Sequence, residues 1–128
     1  MVAVPIYEIT VKSEFSAAHR LRHYRGKCED LHGHNWRIEA SFLSGKLDKK
    51  GMVLDFKIAK GKLNEVLEEL DHKYLNDLSY FKKKNPTSEN IARYIYDKLS
   101  SKSKFRNLRV TKITVYETET SSATYYGE

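Results

Sequence analysis

The stretch HGHNWRIEASFL, His32 to Leu43, alternates strictly: His34, Trp36, Ile38, Ala40 and Phe42 share one parity, and Asn35, Arg37, Glu39 and Ser41 share the other. Side chains on a β-strand point to opposite faces in turn, so this pattern specifies a long strand with one apolar face. YEITVKSEFSAAH, Tyr7 to His19, repeats the device with Tyr7, Ile9, Val11, Phe15, Ala17 and His19 on one parity. Two such strands need something apolar laid over them. The middle of the chain supplies it. Phe56, Ala59, Leu63, Val66, Leu67 and Leu70 recur at helical steps behind a capping Asp55, with Gly61 weakening the helix slightly. After Pro86, Thr87 or Ser88 can cap a second helix whose apolar side is Ile91, Tyr94, Ile95 and Leu99, with Glu89 near its positive end. Period two then returns. Thr111, Ile113, Val115 and Glu117 lie on one side of a third strand, and ATYYG follows as a short fourth. The order ββααββ predicts an α+β fold: an antiparallel sheet with two helices on one face.

A chain of 128 residues with 40% hydrophobic content suits one domain spanning residues 1–128. No run approaches the roughly 18 apolar residues of a membrane span. The N-terminal sequence lacks a basic head followed by a continuous apolar stretch, and a lone cysteine makes no internal disulfide. A cytoplasmic location with a reduced thiol is the expectation. The formal net charge of +6, from 23 basic against 17 acidic residues, is compatible with a phosphate-rich substrate, with nucleic acid, or with solubility alone. The basic residues are scattered, and no single helix carries a dense basic stripe.

The chemistry concentrates around CEDLHGH. His32 and His34 are two apart, which on a strand places both rings on one side, about 7 Å apart along the backbone. His19 ends the preceding strand, the natural antiparallel neighbour. Three imidazoles converging from two strands suit zinc with a vacant fourth position. Cys28 has two open roles: a fourth ligand that closes the shell, or a thiolate beside the metal acting as acid, base or nucleophile. Asp71-His72, after the first helix, is a candidate proton-transfer pair or a local helix-end pair. Glu117 shares a face with Ile113 and Val115, so its carboxylate needs a partner that donates hydrogen bonds.

Read in order, FSAAHRL, C-x3-HGH, LDHKYLN, PTSEN and VYET resemble the 6-pyruvoyl-tetrahydropterin synthase and 6-carboxy-tetrahydropterin synthase family over essentially the whole chain, Tyr7 to Glu128. The resemblance implies the tunnelling fold, with subunits joining their sheets into a barrel and two trimers stacking into a homohexamer. It implies zinc on His19, His32 and His34, and Cys28 as a catalytic base outside the metal shell. It implies Asp71 and His72 as a proton relay supplied across a subunit interface, Glu117 as the pterin anchor, and Glu89 as a second acidic position near the pterin.

The implied substrate is 7,8-dihydroneopterin triphosphate. C-x3-HGH, AAHRL and His23 resemble the carboxy branch, which releases acetaldehyde and triphosphate and forms the precursor of 7-deazaguanine nucleosides such as queuosine and archaeosine. The pyruvoyl branch, which ends at triphosphate elimination, is the alternative. A further branch carries glutamate in place of the cysteine and cleaves dihydroneopterin, and here Glu29 adjoins Cys28. Arg20, Lys27 and Lys82 to Lys84 are candidates to meet the triphosphate. The reading from another class is a zinc-stapled basic module for nucleic acid, with Cys28 and the three histidines closing the shell.

Overall fold

The computed structural model describes residues 6–26, 29–103 and 108–127. Strands β1 (Tyr7–His19) and β2 (His32–Ser44) pair antiparallel along their whole length, from Tyr7 opposite Ser44 to His19 opposite His32. β2 then pairs with a strand at Arg109–Thr118, and that one with a strand at Ser121–Tyr126, both antiparallel. The ββααββ order holds, with one addition. A two-residue strand, β3 (Lys73–Tyr74), pairs parallel with β1 at Ala17 and Ala18, so the sheet is antiparallel except at that edge. The later strands are therefore β4 (Arg109–Thr118) and β5 (Ser121–Tyr126), and the sheet order is β3-β1-β2-β4-β5.

Helix α1 (Phe56–Leu67) starts where Asp55 accepts a hydrogen bond from the Lys57 N–H. Helix α2 (Ser88–Lys102) starts where Thr87 accepts one from Asn90. Between them, two short 3-10 turns, Leu75–Asp77 and Ser79–Phe81, carry the chain across the sheet end. Both helices cover the face bearing Val11, Phe15, Trp36, Ile38, Ala40, Phe42, Ile113 and Val115, and Leu63, Val66, Ile91, Ile95 and Leu99 are buried with them in one cluster. The opposite face carries Lys12, Glu39, Glu8 and Lys112, with ion pairs Lys12–Glu39 and Lys112–Glu8.

Two expectations change. Phe56, placed on the apolar side of α1 by its spacing, is exposed, because it is the first helical residue and lies beyond the sheet's cover. Thr111 does not extend the core parity of β4. The register against β2 shifts between Ser41 and Phe42, so Val110 is the residue turned into the core. At fixed protein concentration, Leu63→Ala should lower unfolding stability by about 2–5 kcal/mol. Asp55→Ala should lower it by about 1 kcal/mol. Urea titration followed by circular dichroism reads both.

Candidate metal centre

The antiparallel register places His19 directly opposite His32, and His34 two residues along on the same face. Their rings meet edge to face, with centroids 4.6 Å apart for His19 and His32, 4.8 Å for His32 and His34, and 5.3 Å for His19 and His34. Trp36 forms the floor. Its ring lies 4.8 Å from His19 and 5.1 Å from His34, and its Nε1–H donates to the Ala17 carbonyl at 3.2 Å.

Backbone carbonyls set the tautomers. His19 Nδ1 donates to the Pro86 carbonyl at 2.8 Å, and His32 Nδ1 donates to the Asp30 carbonyl at 2.8 Å. In the neutral rings each Nε2 is then a lone-pair acceptor, yet these two atoms face one another at 3.0 Å. Two acceptors at that range repel unless a proton or a cation lies between them. Burial, the largest effect, lowers the His19 pKa and favours the neutral ring. Bonding to the Pro86 carbonyl and the charge of Glu117 oppose that shift, while His32 and His34 add to it. A tetrahedral zinc shell with Zn–N of about 2.0–2.1 Å would separate neighbouring nitrogens by about 3.3 Å. His34 Nε2 is buried and makes no hydrogen bond, although Glu117 Oε1 lies 3.2 Å away. Close approach without hydrogen-bond geometry fits two donors aimed at a common ion. The residues present therefore fit zinc, and the carbonyl partners are the outer contacts that orient histidine ligands.

Glu117 reaches this group through a local irregularity. Tyr116 pairs with Ser122 and Thr118 with Ser121, so Glu117 is the extra residue of a β-bulge. One ligand atom each from His19, His32, His34 and Glu117 lies within 4.8 Å of the others. His19 is sealed, whereas the side chains of His32 and Glu117 are about one-third exposed, so the group opens to solvent on one side.

Cys28 and Lys27 lie outside the described residues. Asp71 and His72 form a pair, Oδ2 to Nδ1 at 3.0 Å, at the β3 edge of the sheet. The Ser16 N–H donates to Asp71, the leading cause of a lowered carboxyl pKa, and the His72 ring adds to it. His72 holds a left-handed backbone, φ 57°, pinned by its N–H to the Ser16 carbonyl. Its ring is 82% exposed, and among the described residues no hydrogen bond or ion pair joins Asp71 or His72 to the histidine group. Glu89 is exposed in the first turn of α2, three residues after the Pro86 that holds His19.

Sequence reasoning overlooked Asn76 and Asn85. Their side chains bracket the backbone just after His19, Asn76 at Arg20 and Asn85 at Arg22. Asn76 was visible as the last residue of LDHKYLN, and Asn85 as the residue before PTSEN. We expect His34→Ala to lower zinc affinity more than about 100-fold, measured by competition with a chromophoric chelator. Affinity in the unsubstituted protein should fall as the pH is lowered, because protons compete with the metal for its ligands.

Comparison with known proteins places the chain in a family. The family model described as 6-pyruvoyl tetrahydropterin synthase matches residues 8–128. A putative 6-carboxy-5,6,7,8-tetrahydropterin synthase of Archaeoglobus fulgidus is 39% identical over 111 residues, covering 87% of this chain and 88% of that one. A 6-carboxy-5,6,7,8-tetrahydropterin synthase of Synechocystis is 39% identical over 118 residues, covering 88% of each chain. The structure of the Caenorhabditis elegans 6-pyruvoyl tetrahydropterin synthase superposes with a TM-score of 0.83 at 32% identity, covering both chains completely. With the family model matching residues 8–128 and the whole chain superposing on a solved member, the chain has the tunnelling fold and belongs to the 6-pyruvoyl tetrahydropterin synthase family.

Proposed function

We propose that this protein is a zinc-dependent lyase that converts 7,8-dihydroneopterin triphosphate to 6-carboxy-5,6,7,8-tetrahydropterin, releasing acetaldehyde and triphosphate. The observation that carries the metal-dependent part is the convergence of three histidine Nε2 atoms and one carboxylate on a point open to solvent on one side. The C-x3-HGH spacing and the carboxy-type relatives from Archaeoglobus and Synechocystis favour the carboxy product. The relative from Caenorhabditis keeps the pyruvoyl product as the second reading.

His19, His32 and His34 would hold the zinc, which would supply Lewis acidity toward the hydroxyls of the substrate's side chain. His19 and His32 keep their lone pairs inward because Pro86 and Asp30 take their Nδ1 protons. Trp36, itself fully buried, closes the floor beneath His19 and His34. Cys28, four residues before His32, is assigned the base that moves protons on the side chain. Asp71 stays ionised, orients His72 through Nδ1 and leaves its Nε2 free to exchange protons with solvent or with a neighbouring subunit's substrate. Glu117 and Glu89 are the acids assigned to the pterin. With substrate bound, the three histidines alone are assigned to the metal, and the Glu117 carboxylate is assigned to accept the ring's two parallel N–H groups.

A homohexamer in the cytoplasm is the proposed working form. Two features support assembly. Among the described residues β5 has a neighbour on one side only, and β1 is paired on its outer edge only at Ala17 and Ala18, so the sheet has two long free edges. Ile6, Leu47, Met52 and Phe56 also line an exposed, largely apolar cleft of about 630 Å3 at the sheet end far from the histidines. Light scattering should give six times the mass of one chain.

Incubation of the zinc-loaded protein with 7,8-dihydroneopterin triphosphate should yield acetaldehyde and triphosphate. A pyruvoyl product without acetaldehyde would assign the second reading instead. Cys28→Ala should reduce turnover by more than about 100-fold with zinc content unchanged. Loss of zinc together with the thiol would make the cysteine a metal ligand.

A further inference from the structure

Beyond His19, where β1 ends, residues 20–22 belong to no strand. Their backbone groups are nevertheless all paired. The Arg20 N–H donates to Asn76 Oδ1 at 3.0 Å, and Asn76 Nδ2 donates to the Arg20 carbonyl at 2.9 Å. Two residues on, the Arg22 N–H donates to Asn85 Oδ1 at 2.8 Å, and Asn85 Nδ2 returns a bond to the Arg22 carbonyl at 3.0 Å. Residues i and i+2 of an extended chain direct their polar groups to one side, and residue i+1 to the other. On that other side, the Leu21 N–H donates to Glu29 Oε1 at 3.1 Å, and the Glu29 N–H donates to the Leu21 carbonyl at 2.9 Å. Two amides and one glutamate thus stand where neighbouring strands would be.

This frame is tied to the metal centre at both ends. Asn85 immediately precedes Pro86, whose carbonyl holds His19, and the Asn85 carbonyl accepts from Asn90 in the first turn of α2. Glu29 immediately precedes Asp30, whose carbonyl holds His32, and Glu29 Oε1 lies 3.9 Å from His32 Nδ1. The Arg22 guanidinium adds bonds to the Asn76 and Lys84 carbonyls. The chain leaving Arg22 carries left-handed conformations at His23 (φ 60°) and Arg25 (φ 52°), which L side chains adopt at a cost and keep only where the surroundings impose them.

We propose that Asn76, Asn85 and Glu29 are positioning residues: they fix Arg22 and Glu29, the two residues that flank in sequence the segment carrying the sole cysteine. Glu29 in this role is a structural acceptor. It is neither a second base that would confer dihydroneopterin cleavage nor a metal ligand. The inference rests on the proposed function only for what Cys28 does; the frame itself rests on the hydrogen bonds above.

The test uses full-length, zinc-loaded protein and three variants: Asn85→Ala, Glu29→Ala and Glu29→Gln. Because the chain has one cysteine, the rate of iodoacetamide alkylation against pH reports the surroundings of Cys28 alone, whatever reaction the protein catalyses. Asn85→Ala and Glu29→Ala should retain zinc, shift the alkylation rate by more than about fivefold, and lower kcat about 100-fold with a smaller change in KM. Glu29→Gln keeps an oxygen for the Leu21 N–H, and should stay within about twofold in alkylation and about fivefold in kcat. Three results would overturn the proposal. They are unchanged alkylation in both alanine variants, loss of zinc from either, and a Glu29→Gln variant as impaired as Glu29→Ala. Should Asn85→Ala fail to fold, Asn85→Asp retains the acceptor and loses the donor, and an intermediate alkylation shift is then required. If the parent protein shows no turnover of the pterin substrate, the alkylation and zinc arms still decide between a frame and no frame.

Discussion

The centre depends on two hydrogen bonds that are easy to overlook, His19 Nδ1 to the Pro86 carbonyl and His32 Nδ1 to the Asp30 carbonyl. Each holds the ring proton on the outer nitrogen and so commits the inner nitrogen to be an acceptor. Once both are committed, two lone pairs face each other at 3.0 Å, with the unpaired Nε2 of His34 beside them. An isolated group of this kind is electrostatically unfavourable. A cation relieves it, and the tight packing of Trp36 beneath keeps the rings from turning away.

The sheet makes this arrangement possible at little structural cost. A pair of strands in uninterrupted register brings His19 opposite His32, and alternation delivers His34 to the same face. The apolar stretch of that face is covered by α1 and α2, and the histidines lie at the end, next to the α2 N-terminus that supplies Pro86. The β-bulge at Glu117 turns a carboxylate into the group. The candidate metal-binding side chains thus come from strands, whose register fixes their geometry.

Much of this was legible in the sequence because it depends on short-range periodicity. β1 and β2, the Asp55 and Thr87 caps, and the common face of His19 and His34 all follow from spacing two or three to four. What was not legible depends on long-range partners or on groups that every residue possesses. A two-residue strand such as β3 has no period to detect. The register shift that selects Val110 over Thr111 is decided by β2, not by β4 alone. A backbone carbonyl such as that of Pro86 carries no signature, and Asn76 and Asn85 meet residues 56 and 63 positions away. The exposure of Phe56 is a packing outcome at a helix end, where the helical repeat outlasts the surface it covers.

X-ray absorption at the zinc edge of the substrate-free, zinc-loaded protein tests the central claim most directly. The account predicts three imidazole nitrogens at about 2.0–2.1 Å, a light oxygen donor completing the shell, and no sulfur. A sulfur scatterer at about 2.3 Å, or fewer than three imidazoles, would contradict it.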